Sequence, residues 1–422
     1  MGLNGGVKGK RLARGEIIAA LDVGTTKVVC LIARALGDGG FKVIGIGHRA
    51  SRGLRAGVVA DMTAAEEAIA HAVQMAEQMA GETIRQVVVS LTGGPPVSRT
   101  INVEIPVGGT IGDSEVRRVM AQARQLTLAN GYNLLHVLPV GYAIDGNSGI
   151  RDPRGMYGER LAVRVHAVAV QSSALRNLGT CVARCQLDAT SYVAAAYASG
   201  LACLATDEMD LGCVLIDIGG GTTTLSVFYD GSLVHTDMLP LGGVHITNDI
   251  ARGLTTSVAF AERLKTLHGS TIATAADERD LLDVPQIGEE SVSQVSHQVP
   301  KSVLVGIIKP RIEEIFEMAR DRLEASGAGR FAGRRAVLTG GTSLLPGIAE
   351  TAQSILAKQV RLAQPHDIVW PTNAIDGPAL ATAAGLLMHA THDDAQALLS
   401  AADGADGKRP IGRVVQWFRD NL

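Results

Sequence analysis

The chain is poor in aromatic residues and lacks any long, uninterrupted apolar run. Aromatic residues make up 3% of its 422 residues, which argues against an aromatic base-stacking surface for nucleic acid. The formal net charge of -3 provides no basic field suited to that partner. Because no apolar stretch reaches about 18 residues, no segment is predicted to span a membrane.

Cysteine is also scarce, and its spacing contains no Cys-x2-Cys pair. Most of the cysteines lie in apolar runs, which predicts buried thiols in a reducing cytoplasm rather than disulfides or zinc ligands. They are Cys30, Cys181, Cys185, Cys203 and Cys213. The N-terminal segment, residues 1–15, is basic and glycine-rich without the apolar core of a secretory signal, so we interpret it as a flexible tail.

One short motif occurs twice, as IAALDVGTTK at residues 18–27 and as VLIDIGGGTT at residues 214–223. Each copy is an apolar run, an aspartate and a glycine/threonine turn before a second apolar run, which predicts strand, turn and strand. Successive N–H groups of such a turn bind anions, and glycine lets the backbone approach a ligand closely. An aspartate at the strand end can hold a hydrated divalent cation. Two copies therefore predict two similar halves that hold the phosphates of one nucleotide.

A third segment, LTGGTSLLPG at residues 338–347, follows the two turns. In order and spacing the three segments resemble the phosphate 1, phosphate 2 and adenosine motifs of the actin, Hsp70 and sugar-kinase superfamily. The sequence AERLK at 261–265 resembles the helix that flanks the nucleoside. Residues 191–200 and 377–385 resemble the two interdomain connector helices. The resemblance covers most of residues 16–390.

Four features narrow the resemblance to the FtsA family of bacterial cell-division proteins. They are VLIDIGGGTTTLSVFYDG at 214–231, LGGVHITNDIARGL at 241–254, a block inserted at 95–160, and a linker that ends in an amphipathic tail. The resemblance implies an α/β, actin-like two-lobed fold of duplicated ribonuclease-H-like halves with an inserted α+β subdomain, 1C. It also implies a protein that polymerises on the cytoplasmic face of the inner membrane and tethers the FtsZ ring at the division site.

The resemblance also divides the chain into subdomains, with a core strand at 163–170 returning the chain to the first lobe. The expected division is a tail at 1–15; subdomain 1A at 16–94, 161–200 and 366–392; 1C at 95–160; 2A at 201–245 and 303–365; 2B at 246–302; a flexible linker at 393–410; and an amphipathic helix at 411–422.

The same resemblance implies ATP and Mg²⁺ as cofactors and assigns residues to them. Asp22 and Asp217 would face Mg²⁺ through waters, and Asp217 is the candidate catalytic residue. Lys27 would neutralise phosphate charge, or be an ordinary solvated lysine. Glu262 and Lys265 would bind the ribose and flank the base, or form a surface pair. The remaining expected nucleotide contacts are Gly24, Thr25, Thr26, Gly219, Gly220, Gly221, Thr222, Gly242, Gly243, Gly340, Gly341 and Thr342.

Hydrolysis requires a group that positions the attacking water. Superfamily members often carry an acidic residue or glutamine at the first connector. Here that stretch begins Thr190-Ser191-Tyr192, and Asp188 is displaced from it. We therefore expect slow turnover, at most that of a weak ATPase, with ATP acting mainly as a structural and switching ligand.

The C-terminal segment has apolar residues at helical spacing beside positive charge. The apolar face is Ile411, Val414, Val415, Phe418 and Leu422, with Trp417 at its edge and Arg413 and Arg419 beside it. This pattern predicts a helix that lies in the interface of an anionic membrane, although a helix docked on the protein's own core has the same pattern. One such helix would bind weakly, whereas many on one polymer would bind strongly.

Family resemblance implies two kinds of protein partner besides the polymer itself. Subdomain 2B would bind the acidic and apolar C-terminal peptide of FtsZ in a basic groove, for which Lys301, Lys309 and Arg311 are candidates, although each could be a solvated charge. Later division membrane proteins would dock on 1C.

Three related classes are weighed against this interpretation. A small-molecule kinase shares the phosphate turns but needs a substrate pocket and has no use for an amphipathic tail. A pilus-assembly type adaptor has a 1C-like block but engages a membrane-protein peptide. An Hsp70-type chaperone needs a further substrate-binding domain. The tail favours the cell-division class.

Overall fold

The computed structural model describes residues 12–37, 39–125, 129–287, 296–372 and 377–391. The predicted linker and amphipathic helix lie outside these residues. Within the described part of the chain, no helix combines the length and the apolarity needed to cross a membrane.

The described chain contains both strands and helices. The strands are β1 (Ile17–Val23), β2 (Lys27–Ala35), β3 (Phe41–Ala50), β4 (Leu54–Arg55), β5 (Val58–Val59), β6 (Gln86–Leu91), β7 (Val97–Thr110), β8 (Tyr132–Ile144), β9 (Asn147–Ile150), β10 (Tyr157–Gln171), β11 (Asp188–Ala194), β12 (Cys213–Ile218), β13 (Thr223–Tyr229), β14 (Ser232–Leu239), β15 (Leu281–Pro285), β16 (Ser296–Pro300), β17 (Arg335–Thr339), β18 (Gln359–Leu362) and β19 (Ile368–Val369). The helices are α1 (Met62–Ala80), α2 (Asp113–Arg124), α3 (Ser172–Arg184), α4 (Ala195–Cys203), α5 (Thr206–Leu211), α6 (Gly243–Gly253), α7 (Val258–His268), α8 (Lys301–Ala325), α9 (Ile348–Leu356) and α10 (Ala381–His389), with 3-10 turns at Ala328–Arg330, Gly341–Leu344 and Pro378–Leu380.

The first lobe is built on a six-stranded sheet in the order β11-β6-β1-β2-β3-β19. Strands β1 and β2 form an antiparallel hairpin, and β6 lies parallel to β1. Helix α1 begins at the cap Asp61, whose side chain accepts from the Ala64 N–H at 3.1 Å. The helix packs very close to β3, because a Cβ at Gly47 would lie 1.6 Å from the Ala72 carbonyl oxygen.

The second lobe repeats this arrangement in a five-stranded sheet with the order β14-β13-β12-β17-β18. Strands β12 and β13 form the antiparallel hairpin, and β17 lies parallel to β12 as β6 does to β1. Helix α8 buries an apolar face in this lobe that includes Ile308, Ile312 and Phe316. The repeated topology places the two predicted turns at equivalent positions in the two halves.

Between β6 and α3 of the first lobe, the chain forms an inserted domain with its own core. Its sheet has the order β7-β10-β8-β9, and α2 buries Val119 and Met120 against it. Strand β10 pairs with both β7 and β8 along almost its whole length. The strand predicted at 163–170 is part of β10 in this sheet, and its residues Val168 and Val170 are buried in the core of the first lobe. We call residues 97–171 the insert.

Helices α4 and α10 pack against each other at the centre of the molecule. All nine residues of α4 are buried, and a Cβ at Gly385 on α10 would lie 1.7 Å from the Ala198 carbonyl oxygen. The small residues predicted for the two connectors thus permit contact at the backbone. Both helices touch strands of the sheets, α10 at β1 and α4 at β12 and β13.

Candidate nucleotide site between the lobes

The two predicted turns have the same backbone geometry. The Gly24 N–H donates to the Lys27 carbonyl oxygen at 2.9 Å, and the Gly219 N–H donates to the Thr222 carbonyl oxygen at 2.9 Å. Each turn joins the two strands of its hairpin directly after the strand that carries the aspartate. The sequence duplication therefore corresponds to a duplication of local structure.

The two turns face each other closely enough to require glycine in the second. A Cβ at Gly220 would lie 2.2 Å from the Thr26 side chain, and a Cβ at Gly221 would lie 2.5 Å from that of Thr25. Any side chain at these positions would push the lobes apart. The threonines of one turn and the bare backbone of the other thus form the two walls of one narrow site.

Asp22 and Asp217 lie at the floor of this site, and each is held by hydroxyl donors. Ser90 on β6 donates to the Asp22 carboxylate at 2.7 Å. Ser199 on α4 and Thr382 on α10 donate to the Asp217 carboxylate. Burial raises the pKa of both aspartates, and the two carboxylates are close enough that Asp22 further raises the pKa of Asp217.

Lys27 is half-buried at the same site. Its ammonium donates to the Ala379 carbonyl oxygen. Burial lowers its pKa, whereas the nearby carboxylates of Asp22 and Asp217 act in the opposite direction. One ammonium faces two half-buried carboxylates, so a further cation would balance the charge of the site.

The donor set fits a hydrated Mg²⁺ ion. Mg²⁺ keeps several waters and binds through one or two carboxylates together with substrate phosphates. Among the described residues, no group of three or more histidine, cysteine, aspartate or glutamate side chains could hold a metal by direct ligation. Asp22 and Asp217 are therefore suited to hold Mg²⁺ through its waters.

A polar cluster forms the other end of the site. The Lys265 ammonium, whose side chain is 12% exposed, contacts the Glu262 carboxylate at 2.7 Å and the Thr247 hydroxyl at 2.9 Å. It also donates to the Gly243 carbonyl oxygen at 3.1 Å. The Thr342 hydroxyl donates to the Gly219 carbonyl oxygen at 3.0 Å, which joins this end to the second turn. Glu262 and Lys265 therefore form more than an isolated surface pair.

These groups line one cavity of about 1160 Å³, large enough for a nucleotide. All but one of the predicted nucleotide-binding residues lie in its wall. The exception is Gly242, which packs behind the second turn, since a Cβ there would lie 2.6 Å from the Gly219 carbonyl oxygen. Residues near the cavity that the sequence analysis did not assign to the nucleotide are Ser90, Ser199, Thr382, His48, Thr224 and Thr247.

Sequence comparison identifies the family. The family model described as "Cell division protein FtsA" matches residues 214–385, and that described as "SHS2 domain inserted in FTSA" matches residues 93–169. The cell division protein FtsA of Agrobacterium fabrum is 43% identical over 97% of this chain and 96% of that protein. That of Escherichia coli K12 is 30% identical over 96% of this chain and 98% of that protein. The chain belongs to the FtsA family of cell-division proteins.

Solved structures of other proteins share the fold of this FtsA family member. The PilM-PilN type IV pilus biogenesis complex aligns with a TM-score of 0.63 at 17% identity, over 90% of this chain and 99% of that one. MreB5 of Spiroplasma citri bound to ADP aligns with a TM-score of 0.54 at 15% identity, over 88% of this chain and 94% of that one. These likenesses confirm the predicted actin-like fold class.

Each basic residue of the predicted partner site has an acidic neighbour in the structure. Lys301 pairs with Asp277 at 3.0 Å, and Lys309 lies 3.8 Å from Glu313. Arg311 pairs with Asp249 at 2.6 Å and with Glu314. An acidic peptide at this face would have to compete with these carboxylates, so the basic groove stays a prediction.

The first connector contributes an apolar residue to the cavity of this FtsA chain. Ala195 lies in the cavity wall, whereas Asp188 is exposed at the start of β11. The Thr190 hydroxyl donates away from the cavity, to the Val87 carbonyl oxygen at 3.1 Å. Thus Asp188, the one acidic residue of β11, does not line the cavity, and slow hydrolysis stays a prediction.

Proposed function

We propose that this FtsA family member binds ATP with Mg²⁺ and polymerises on the inner face of the cytoplasmic membrane at the division site. There it tethers the FtsZ ring through its C-terminal amphipathic helix and helps to recruit later division proteins. The observation that carries the nucleotide part is the pair of facing turns with Asp22 and Asp217 at their floor. MreB5 of Spiroplasma citri, which shares the fold, is bound to ADP in one structure and to AMPPNP in another.

Each group of residues in the proposed site binds a different part of the nucleotide. The N–H groups of both turns and the hydroxyls of Thr25 and Thr26 contact the phosphates, and Lys27 offsets their negative charge. Bound Mg²⁺ would neutralise charge on the phosphate oxygens. Glu262 and Lys265 bind the nucleoside. Because both lobes contribute phosphate contacts, ATP would stabilise their closed arrangement.

The membrane part is carried by residues 411–422. Burying a large apolar side chain contributes about 1.5–3 kcal/mol, part of which is offset by ordering the helix. A single tail therefore binds reversibly. Tails held together on one polymer rebind at high effective concentration, so polymerisation controls attachment to the membrane.

The experiment that tests this proposal is co-sedimentation with liposomes containing anionic lipid, with and without ATP. The full-length chain is compared with a chain that ends at Gly407 and with the variants Trp417→Glu and Trp417→Phe. We expect ATP to enhance sedimentation of the full-length chain and of Trp417→Phe. Truncation and Trp417→Glu should abolish sedimentation while leaving ATP binding intact. Tail-independent sedimentation would contradict the anchor.

A separate measurement addresses the partner surface. Charge reversal at Lys301 should weaken binding of an acidic, apolar FtsZ C-terminal peptide in fluorescence anisotropy. Reversal at Arg320, which is exposed on the same helix beside Asp321, serves as the control. Equal affinity for the two variants and the unmodified chain would remove Lys301 from the binding site.

Turnover of ATP offers a third check. We expect hydrolysis to be slow because an alanine, Ala195, occupies the cavity wall at the first connector. A rate well above about one per second would contradict the view of ATP as mainly a switching ligand.

A further inference from the structure

The insert contacts the second lobe as well as the first. The hydroxyl of Ser98 on β7 accepts the backbone N–H of Thr236 on β14 at 3.1 Å. The same hydroxyl oxygen lies 3.2 Å from His235 Nδ1 on β14 and 2.8 Å from His166 Nε2 on β10. One serine thus joins two strands of the insert to one strand of the second lobe.

The protonation state of the two imidazoles suits this arrangement. Burial lowers the pKa of His166 to about 3, and burial also lowers the pKa of His235. Both rings are therefore neutral near pH 7, when each has one donor and one acceptor nitrogen. Ser98 has a single hydroxyl proton, so it donates to one ring and accepts from the other.

A second group of contacts lies at the start of β14 and in the turn before it. Arg151, in the segment after β9, pairs with Asp230 in the β13–β14 turn and lies 3.6 Å from Asp210. The Ser232 hydroxyl at the start of β14 donates to the Pro139 carbonyl oxygen on β8 at 3.3 Å. We call Ser98, Arg151 and their partners on the second lobe the latch.

Strand β14 is connected to the nucleotide cavity through one continuous sheet. It pairs with β13 from Thr223 to Tyr229, and β13 begins directly after the second phosphate turn. Hydrogen-bonded strands of one sheet move together, so a displacement of the turn displaces β14. On the other side, the insert contacts the first connector, because His136 Nε2 on β8 accepts the Ala194 N–H at 2.9 Å.

We propose that the latch makes the insert move with the second lobe, so that closure of the lobes on a nucleotide changes the position of the insert relative to the first lobe. The position of the insert therefore depends on whether the lobes are open or closed around the nucleotide cavity. For its nucleotide-dependent part, this inference rests on the proposed binding of ATP. The contacts themselves do not depend on a ligand.

The test is hydrogen–deuterium exchange of the full-length chain, with peptides that cover β7, β14 and the two turns. The latch variant carries Ser98→Ala, which removes the hydroxyl without adding bulk, together with Arg151→Ala. The matched control is Arg160→Ala, because Arg160 is as exposed as Arg151, at 68%, but pairs with Glu104 inside the insert at 3.0 Å.

Without nucleotide, the latch variant should exchange at least threefold faster than the unmodified chain in the peptide that covers residues 232–239, and Arg160→Ala should not. Unchanged exchange there would overturn the proposal whether or not ATP binds. With ATP, the unmodified chain and Arg160→Ala should gain protection in both turns and in β7. The latch variant should keep protection in the turns and lose it in β7.

The two proposals fail in different ways. If ATP protects neither turn in the unmodified chain, the proposed nucleotide site is wrong, and the nucleotide-free comparison still decides whether the latch holds β14. If ATP protects the turns but leaves β7 unchanged, or protects β7 equally in the latch variant, the proposed coupling is wrong while the nucleotide site stands.

Discussion

The two halves of the cavity share a turn but hold their carboxylates differently. Asp22 receives its hydroxyl from Ser90, which lies on the neighbouring strand β6 of the same sheet. Asp217 receives hydroxyls from Ser199 and Thr382, on the two helices that pack together between the lobes. The first aspartate is thus fixed within its own lobe, whereas the position of the second depends on the connectors.

The residues paired with the two aspartates across each hairpin also differ in polarity. Asp22 lies opposite Val29 on β2, and Asp217 lies opposite Thr224 on β13. The Thr224 hydroxyl is buried and has no hydrogen-bond partner among the described residues, although it lies in the cavity wall. The second aspartate therefore has polar neighbours on both connector helices and on the paired strand, which the first aspartate lacks.

The largest loss of stability is expected from a substitution where the second lobe joins the first connector. Glu208 on α5, 5% exposed, accepts from Arg335 on β17 and Arg361 on β18, and Arg361 also donates to the Cys203 carbonyl oxygen. We expect Glu208→Ala to lower the free energy of unfolding by about 3 kcal/mol. Urea denaturation measures this, with Arg160→Ala as a surface-pair control that should cost under about 1 kcal/mol.

The pH dependence of the same group has a definite sign. Burial acts to raise the pKa of Glu208, but hydrogen bonds from Arg361 and the Ala205 N–H lower it to about 2. Its stabilising contribution is therefore complete above the unfolded value near 4.5 and is lost as pH falls toward 2. Below about pH 4.5 the variant should lose less stability than the unmodified chain. Parallel curves would show that the cluster contributes little.

The next effect compares the two carboxylates directly. Asp217→Asn should weaken binding of MgATP by about 10- to 100-fold, since it removes a charge that holds the hydrated ion. Without ligand, the same variant should be more stable than the unmodified chain, because burial has raised the pKa of Asp217 and the ionised form is therefore unfavourable at neutral pH.

Isothermal titration with ATP, with and without Mg²⁺, measures the affinity, and thermal denaturation measures the stability. Asp22→Asn is the matched variant and should show the same two changes, because burial also raises the pKa of Asp22. If both variants bound ATP equally well with and without Mg²⁺ and as tightly as the unmodified chain, the assignment of the ion site would be wrong.

The sequence alone predicts the turns but not what lies behind them. The motif repeats at residues 18–27 and 214–223 because a glycine turn that approaches a ligand leaves few choices of residue. Ser90 and Ser199 stand in segments without such a constraint, and they reach the carboxylates only through the packing of β6 and α4. A serine in a strand or helix has no sequence signal that names its partner.

The limits of the inserted domain are also predicted only in part, because the sequence shows local turns but not long-range strand pairing. The inserted block is visible in the sequence, since turn residues bound it. The sequence predicts that the block ends at residue 160, whereas the last strand of its sheet, β10, continues to Gln171. Strand β10 pairs with β7 and β8, and this pairing joins residues far apart in the sequence. The latch at Ser98 was not predicted for the same reason.

Two glycines at different positions of the two turns should respond unequally to the same substitution. Gly220→Ala places a methyl group 2.2 Å from the Thr26 side chain, whereas at Gly24 the closest atom, the Lys27 carbonyl oxygen, lies at 3.0 Å. We expect Gly220→Ala to weaken ATP binding about tenfold by forcing the turns apart, and Gly24→Ala to have a smaller effect. Fluorescent-ATP titration measures both, and a larger loss for Gly24→Ala would contradict the geometry.

The smallest expected change in ATP affinity comes from removing the hydroxyl donor of either carboxylate. The two variants test whether the carboxylate is held within its own lobe or by the connectors. Ser199→Ala and Ser90→Ala each remove one hydroxyl donor, which contributes about 1 kcal/mol, or about fivefold in ATP affinity. Because Ser199 stands on a connector, its loss should also increase deuterium exchange in α10, where Thr382 contacts both Ser199 and Asp217. Ser90→Ala should leave α10 unchanged. Equal exchange in the two variants would mean that the connectors do not sense the second carboxylate, and the two halves would then differ in sequence without differing in role.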